Sequence, residues 1–117
     1  MMPAVVCNTG PVIALASINR LELLKSLFRE VLIPEAVHKE ILLGGASSVG
    51  LSAYREKSWI KVQALKKAAD PLLDSILDAG EASVIQLARE AEVKLVLLDE
   101  RKTRKVARRR PEIIPTC

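Results

Sequence analysis

Aromatic side chains are almost absent from this 117-residue chain. Phe28, Tyr54 and Trp59 are the whole set, which argues against an extended base-stacking platform for single-stranded nucleic acid. Two cysteines, Cys7 and Cys117, are too few for a disulfide framework, and Cys7 reads as a small buried hydrophobe. One histidine, His38, cannot build a zinc site; it lies off the Val37/Ile41 face and is expected to be exposed. No apolar run approaches the roughly 18 residues of a membrane span. The start, Met1-Met2-Pro3, shows neither a basic region nor a secretory apolar segment, so a cytoplasmic location is expected. Repeats and low-complexity linkers are also missing. What remains is a half-apolar chain with well-mixed charge, of a length that fits one globular domain over residues 1–117.

The net charge of +4 is unevenly spread. Through Glu100 the chain carries 11 Lys/Arg against 13 Asp/Glu, a balance of −2. Beyond it, RKTRKVARRR and the following residues hold 7 basic side chains against the single acid Glu112, a balance of +6. Such a cluster beside an acidic pocket suits nucleic acid, because cations hold phosphates while metal ions screen the carboxylates. The cluster alone is equally compatible with a solvated helix face.

Strands and helices alternate. The run Ala4 to Cys7 is apolar on both faces, as in a covered parallel strand. Gly10 and Pro11 open a helix through VIALASI, Asn19-Arg20 breaks it, and LELLKSLF follows with Leu21, Leu24, Leu27 and Phe28 on one face. A second strand spans Val31 to Ile33. Pro34 opens EAVHKEILL, with Val37 and Ile41 buried and Gly44-Gly45 as its stop. A further helix is expected over Ser47 to Lys57, a strand over Trp59 to Val62, and a charged connection to Ala69. Asp70-Pro71 starts PLLDSIL. Asp78 caps a longer helix whose Val84, Leu87, Ala88 and Ala91 face the core. A fourth strand, Lys94 to Leu98, leads into a basic helix ending before Pro111, and Ile113-Ile114 is the stub of a fifth strand. This order implies a three-layer α/β/α domain around a central, mainly parallel sheet whose fifth strand is short or missing.

In such sheets ligands sit beyond the carboxyl ends of the strands. Two strands end there in oxygen-bearing residues, the first in Asn8-Thr9-Gly10-Pro11 and the fourth in Asp99-Glu100. Taken singly, each candidate has a plainer role. Asp99 can cap the next helix, and Asn8 can form an Asx turn. Glu81 stands at capping-box spacing from Asp78, and Glu40 is an edge residue of its helix. The match of Asn8 with Asp99 at equivalent strand ends shifts the balance to a site for a hard cation, which takes oxygen ligands.

The segments VVCNTGPVIALASINRLELLKSLF, VLIPEAVHKEI and DAGEASVIQLAREAEVKLVLLDERKTRKVA together resemble the PIN domain. This is a family of metal-dependent ribonucleases that includes toxins of bacterial and archaeal toxin–antitoxin pairs. The likeness runs to about Arg110 and is greatest to the PIN-like branch with an N-T-[SG]-P start. The resemblance implies Mg²⁺ or Mn²⁺ as cofactor and hydrolysis of RNA phosphodiesters. It implies Glu40, Glu81 and Asp99 as catalytic carboxylates that share the metal with Asn8, which stands in the place of the family's usual first Asp. Thr9 and Glu100 would support the site, and Arg101, Lys102, Arg104, Lys105 and Arg108 would hold RNA. A chain apparently shortened at its C-terminus, with apolar surface left uncovered, implies a homodimer or a complex with a cognate antitoxin protein. Loss of one charge at Asn8 leaves an alternative: a catalytically inactive PIN-like module that binds RNA or a protein partner.

Overall fold

The computed structural model describes residues 3–45, 48–68, 70–99 and 113–116. Its centre is β1, Ala4–Cys7, in which Val5, Val6 and Cys7 are wholly buried. Such burial on both faces requires a strand with neighbours on either side and helices above and below. The neighbours are β2, Glu30–Pro34, and β4, Leu95–Asp99, both parallel to β1, with Val5 opposite Val31 on one side and Leu95 on the other. At the edges lie β3, Ile60–Gln63, beside β2, and β5, Ile113–Thr116, beside β4. The sheet order is β3-β2-β1-β4-β5. Every strand pairing among the described residues is parallel, in keeping with the expected sheet. The fifth strand, expected as a stub or missing, is formed over four residues and pairs Leu97 with Ile114.

The helices are α1 (Thr9–Ser17), α2 (Glu22–Leu27), α3 (Glu35–Glu40), α4 (Ser48–Arg55), α5 (Pro71–Ile76) and α6 (Ala79–Glu90). Proline and acidic caps set their starts. Pro34 precedes α3, while Asp70 accepts the Leu72 N–H at 2.9 Å before Pro71 opens α5. At α1 the cap is Asn8 rather than Gly10, since Thr9 is already helical. Directly after Glu40 the chain widens into π-helical turns over Ile41–Gly45, where an α-helix through Leu43 was expected. Two consecutive glycines weaken helix formation there, and π-turns are rare enough to mark the spot.

The core gathers Val12, Leu21, Leu24, Ile33, Val37, Ile41, Leu73, Val84, Leu87 and Leu98 with β1. Leu27, expected on the buried face of α2, is 60% exposed because α2 ends there and Phe28 turns into extended backbone. At the far end of α6, Glu90 accepts the Lys66 and Lys67 backbone N–H groups at 2.7 and 3.0 Å, which ties the 64–70 connection to the helix. Those bonds, the Lys66 N–H first, hold its carboxyl below the ordinary value. The segment expected as a basic helix lies outside the described residues.

Candidate metal centre

Three elements meet at the carboxyl end of β1. The strand hands over to α1 through Asn8, whose backbone is extended and whose N–H donates to Leu97 O of β4 at 3.0 Å. Its side chain makes no capping bond to α1, so the Asx-turn role is not taken up. The residue is 7% exposed, and Oδ1 is buried with no hydrogen-bond partner among the described residues. A buried amide oxygen left in that state costs roughly 1–3 kcal/mol, a sign of a ligand, ion or water in native proteins.

Facing Asn8 is Glu40, the last residue of α3. Its Oε2 accepts the hydroxyl proton of Thr9 Oγ1, a bond between the first residue of α1 and the last of α3. The third wall is the start of α6. Asp78 caps it, with Oδ1 accepting the Glu81 N–H at 2.8 Å. Between Asp78 and Glu81 stands Gly80, itself buried. A methyl group placed on Gly80 would lie 3.3 Å from Glu40 Oε2, 3.5 Å from Asn8 Oδ1 and 3.5 Å from Asp78 Oδ1. The missing side chain therefore leaves a gap on which three oxygens converge.

Glu81 sits next to that gap in the chain and is 2% exposed, in the first turn of α6. Burial of a carboxylate is costly without compensation, and the positive end of the helix dipole supplies part of it. Asp99 ends β4, one strand over from β1, with its backbone paired to Thr116. Because Cys7 is in register with Leu97, Asn8 and Asp99 leave the same edge of neighbouring strands. Thus Asn8, Thr9 and Glu40 are brought together, Glu81 follows Gly80 in the chain, and Asp99 is placed by its backbone. Glu100, Arg101, Lys102, Arg104, Lys105 and Arg108 lie outside the described residues.

His38 departs from expectation. It is half-buried, and its Nδ1 is hydrogen-bonded to the Tyr54 hydroxyl at 2.6 Å. Sequence spacing cannot disclose a pairing between separate helices. The D-x-G-E spacing marks Asp78 as a helix cap, and nothing in it discloses that Asn8, Glu40 and Asp78 approach one another at Gly80.

With this geometry the comparison with known families is decisive. Residues 4–111 match a family model described as a PIN domain. The chain belongs to the PIN domain family. The sheet and flanking helices agree with a PIN α/β/α fold. No curated protein and no solved structure matches the chain. PIN membership points to nuclease chemistry, which in this family generally uses divalent metal ions. No helix among the described residues is long and apolar enough to cross a membrane.

The side chains at the β1 edge suit such an ion. All the converging donors are oxygens, the set preferred by hard cations, and one of them is a buried atom in want of a partner. Among the described residues there is no group of three or more His, Cys, Asp or Glu arranged for a metal. At Gly80 the set is two carboxylates and an amide.

Proposed function

We propose that this PIN domain is a Mg²⁺- or Mn²⁺-dependent endoribonuclease, with the cation held by Asn8, Glu40, Glu81 and Asp99. The observation that carries the reading is the orphaned Asn8 Oδ1, which lies beside Gly80 together with Glu40 Oε2, 3.5 and 3.3 Å from the position of an added methyl. When bound, the cation supplies Lewis-acid stabilisation of charge on the phosphate and makes water a competent nucleophile near neutral pH. Thr9 fixes the Glu40 carboxylate through its hydroxyl. Asn8 contributes a neutral oxygen, so Glu40, Glu81 and Asp99 bring the negative charge, with Glu100 next to Asp99. The basic run supports substrate binding: Arg101, Lys102, Arg104, Lys105 and Arg108 would neutralise backbone phosphates in a salt-dependent way.

On the resemblance to toxin ribonucleases we extend the reading to the toxin of a toxin–antitoxin pair. Exposed Leu23 and Leu27, one turn apart on α2, with Ile18 just before them, support a protein-facing surface for an antitoxin or a second copy. The test pairs RNA cleavage, with and without EDTA, with equilibrium Mn²⁺ binding by wild type and Glu40→Gln. EDTA should abolish cleavage and Glu40→Gln should weaken both signals. Cleavage indifferent to EDTA would overturn the reading.

A second reading rests on the uncharged Asn8: a PIN-like module without catalysis that binds RNA or a protein partner. It requires salt-sensitive RNA binding with no metal-dependent cleavage.

A further inference from the structure

We propose that a cavity walled by α3, α4 and β3 binds a nucleoside phosphate, as one residue of bound RNA, with Arg55 on the phosphate. The inference rests on the reading of RNA as substrate and adds to it a subsite separate from the metal centre.

The cavity measures about 300 Å³, at the lower end of the range for small-molecule sites. Three kinds of group line it. Leu42, Ile60 and Val62 form an apolar wall, and Val62, on the edge strand β3, is 43% exposed. His38 is fixed by the bond from its Nδ1 to the Tyr54 hydroxyl at 2.6 Å. Its Nε2 has no hydrogen bond among the described residues. Of the two cations, Lys57 is paired with Glu22 at 2.5 Å, whereas Arg55 makes no ion pair among the described residues.

These groups match the parts of a nucleotide. A guanidinium recognises phosphate through a fixed fork of N–H donors. A base offers a flat face to the apolar wall, and its edge or the ribose hydroxyl offers a partner to an imidazole nitrogen. An acidic side chain would use Arg55 and leave the apolar wall uncovered.

Position supports the same occupant. His38 and Leu42 bracket Glu40 in the chain, and His38 stands about 3 Å before Glu40 along the axis of α3. Glu40 meets Thr9 at the metal centre, while His38 meets Tyr54 at the cavity. One short segment therefore serves both places. The π-helical turn that carries Leu42 is a distortion frequent at functional sites.

The chain has a single histidine, so the imidazole proton resonances of His38 report on the cavity directly. They are followed in EDTA, which withholds the metal, during titration with nucleoside 5′-monophosphates and with a short single-stranded RNA. Wild type, Arg55→Ala, Val62→Glu and Arg89→Ala are compared. Arg55 and Val62 are exposed, so their replacement should spare the fold, and Arg89→Ala removes an exposed arginine from α6, outside the cavity. RNA should shift the His38 signals. Arg55→Ala and Val62→Glu should each weaken that binding by about fivefold or more, and Arg89→Ala should bind as wild type does. A response to RNA, with or without one to mononucleotides, supports the subsite. A response to mononucleotides alone, or to neither, overturns it, as does Arg55→Ala binding no more weakly than Arg89→Ala. Silent His38 signals beside metal-dependent cleavage overturn the subsite and leave the nuclease standing. Cleavage indifferent to EDTA overturns the metal reading and leaves the subsite untouched.

Discussion

Thr9 and Glu40 are joined by a hydrogen bond from hydroxyl to carboxylate, the one side-chain link between the start of α1 and the end of α3 among the described residues. Glu40 is exposed and Thr9 half-buried, so the bond orients the carboxylate more than it stabilises the fold. Thr9→Val keeps the shape and removes the donor. The expected result is Mn²⁺ affinity lower by about fivefold, about 1 kcal/mol after discounting a charge-assisted bond for solvent, with a nearly unchanged melting temperature. Thr9→Ser should behave as wild type. Equal affinity in all three proteins would remove Thr9 from the site.

Gly80 offers a test in which stability and function part company. Its backbone is ordinary helix, and an added methyl would meet Glu40 Oε2 at 3.3 Å, a flexible group that can yield. Gly80→Ala should leave stability unchanged or raise it by up to about 1 kcal/mol. The same methyl fills the gap, so Mn²⁺ binding and cleavage should fall. Calorimetric melting alongside Mn²⁺ titration checks both halves, and a stable variant with undiminished Mn²⁺ affinity would show that the gap is not used.

Alkaline pH should destabilise the protein through Cys7. Burial pushes its thiol from 9.0 up to about 12. The folded value lies above the unfolded one, so the stabilisation is complete below pH 9 and is lost as pH rises towards 12. The expected slope is about 1.4 kcal/mol per pH unit within that window. Tyr54, also pushed by burial from 10.0 to about 12, adds to the loss above pH 10. Urea unfolding from pH 8 to 11 measures the slope, and Cys7→Ala should flatten it between pH 9 and 10. A slope identical in the variant would mean that the thiol does not carry the effect.

Leu23 and Leu27 are exposed on α2, and the proposed contact with a protein partner can be tested there. Leu23→Lys/Leu27→Lys should leave folding within about 0.5 kcal/mol of wild type, as surface changes usually do. It should abolish concentration-dependent association in sedimentation velocity. Wild type that sediments as a monomer at all concentrations would contradict self-association through this face.

Much of this was legible in the chain because the signals are local. A short apolar run buried on both faces located β1 at the sheet centre, and Asp70-Pro71 and Asp78 marked two helix starts where they occur. The strand-end placement of Asn8 and Asp99 followed from the alternation of strands and helices, since parallel strands share one carboxyl edge. What remained hidden depends on distance in the chain or on an explanation that satisfies too early. The His38–Tyr54 bond joins two helices with no common pattern. The π-helical turn after Glu40 has no periodic signature. Leu27 fits the helical stripe and is exposed only because the helix stops under it. Asp78 carries the sequence signature of a cap, and its approach to Asn8 and Glu40 exists only after α6 is packed against the end of β1.

Whether the asparagine leaves a working nuclease is decided by cleavage of a mixed single-stranded RNA pool across a Mn²⁺ titration. Wild type, Asp99→Asn and Asn8→Asp are compared, with RNA binding measured in parallel. Wild type should cleave at raised Mn²⁺, Asp99→Asn should bind RNA without cleaving it, and Asn8→Asp should cleave at lower Mn²⁺ than wild type. If all three bind RNA in a salt-sensitive way and none cleaves it at any Mn²⁺ concentration, the domain is a binding module and not a nuclease.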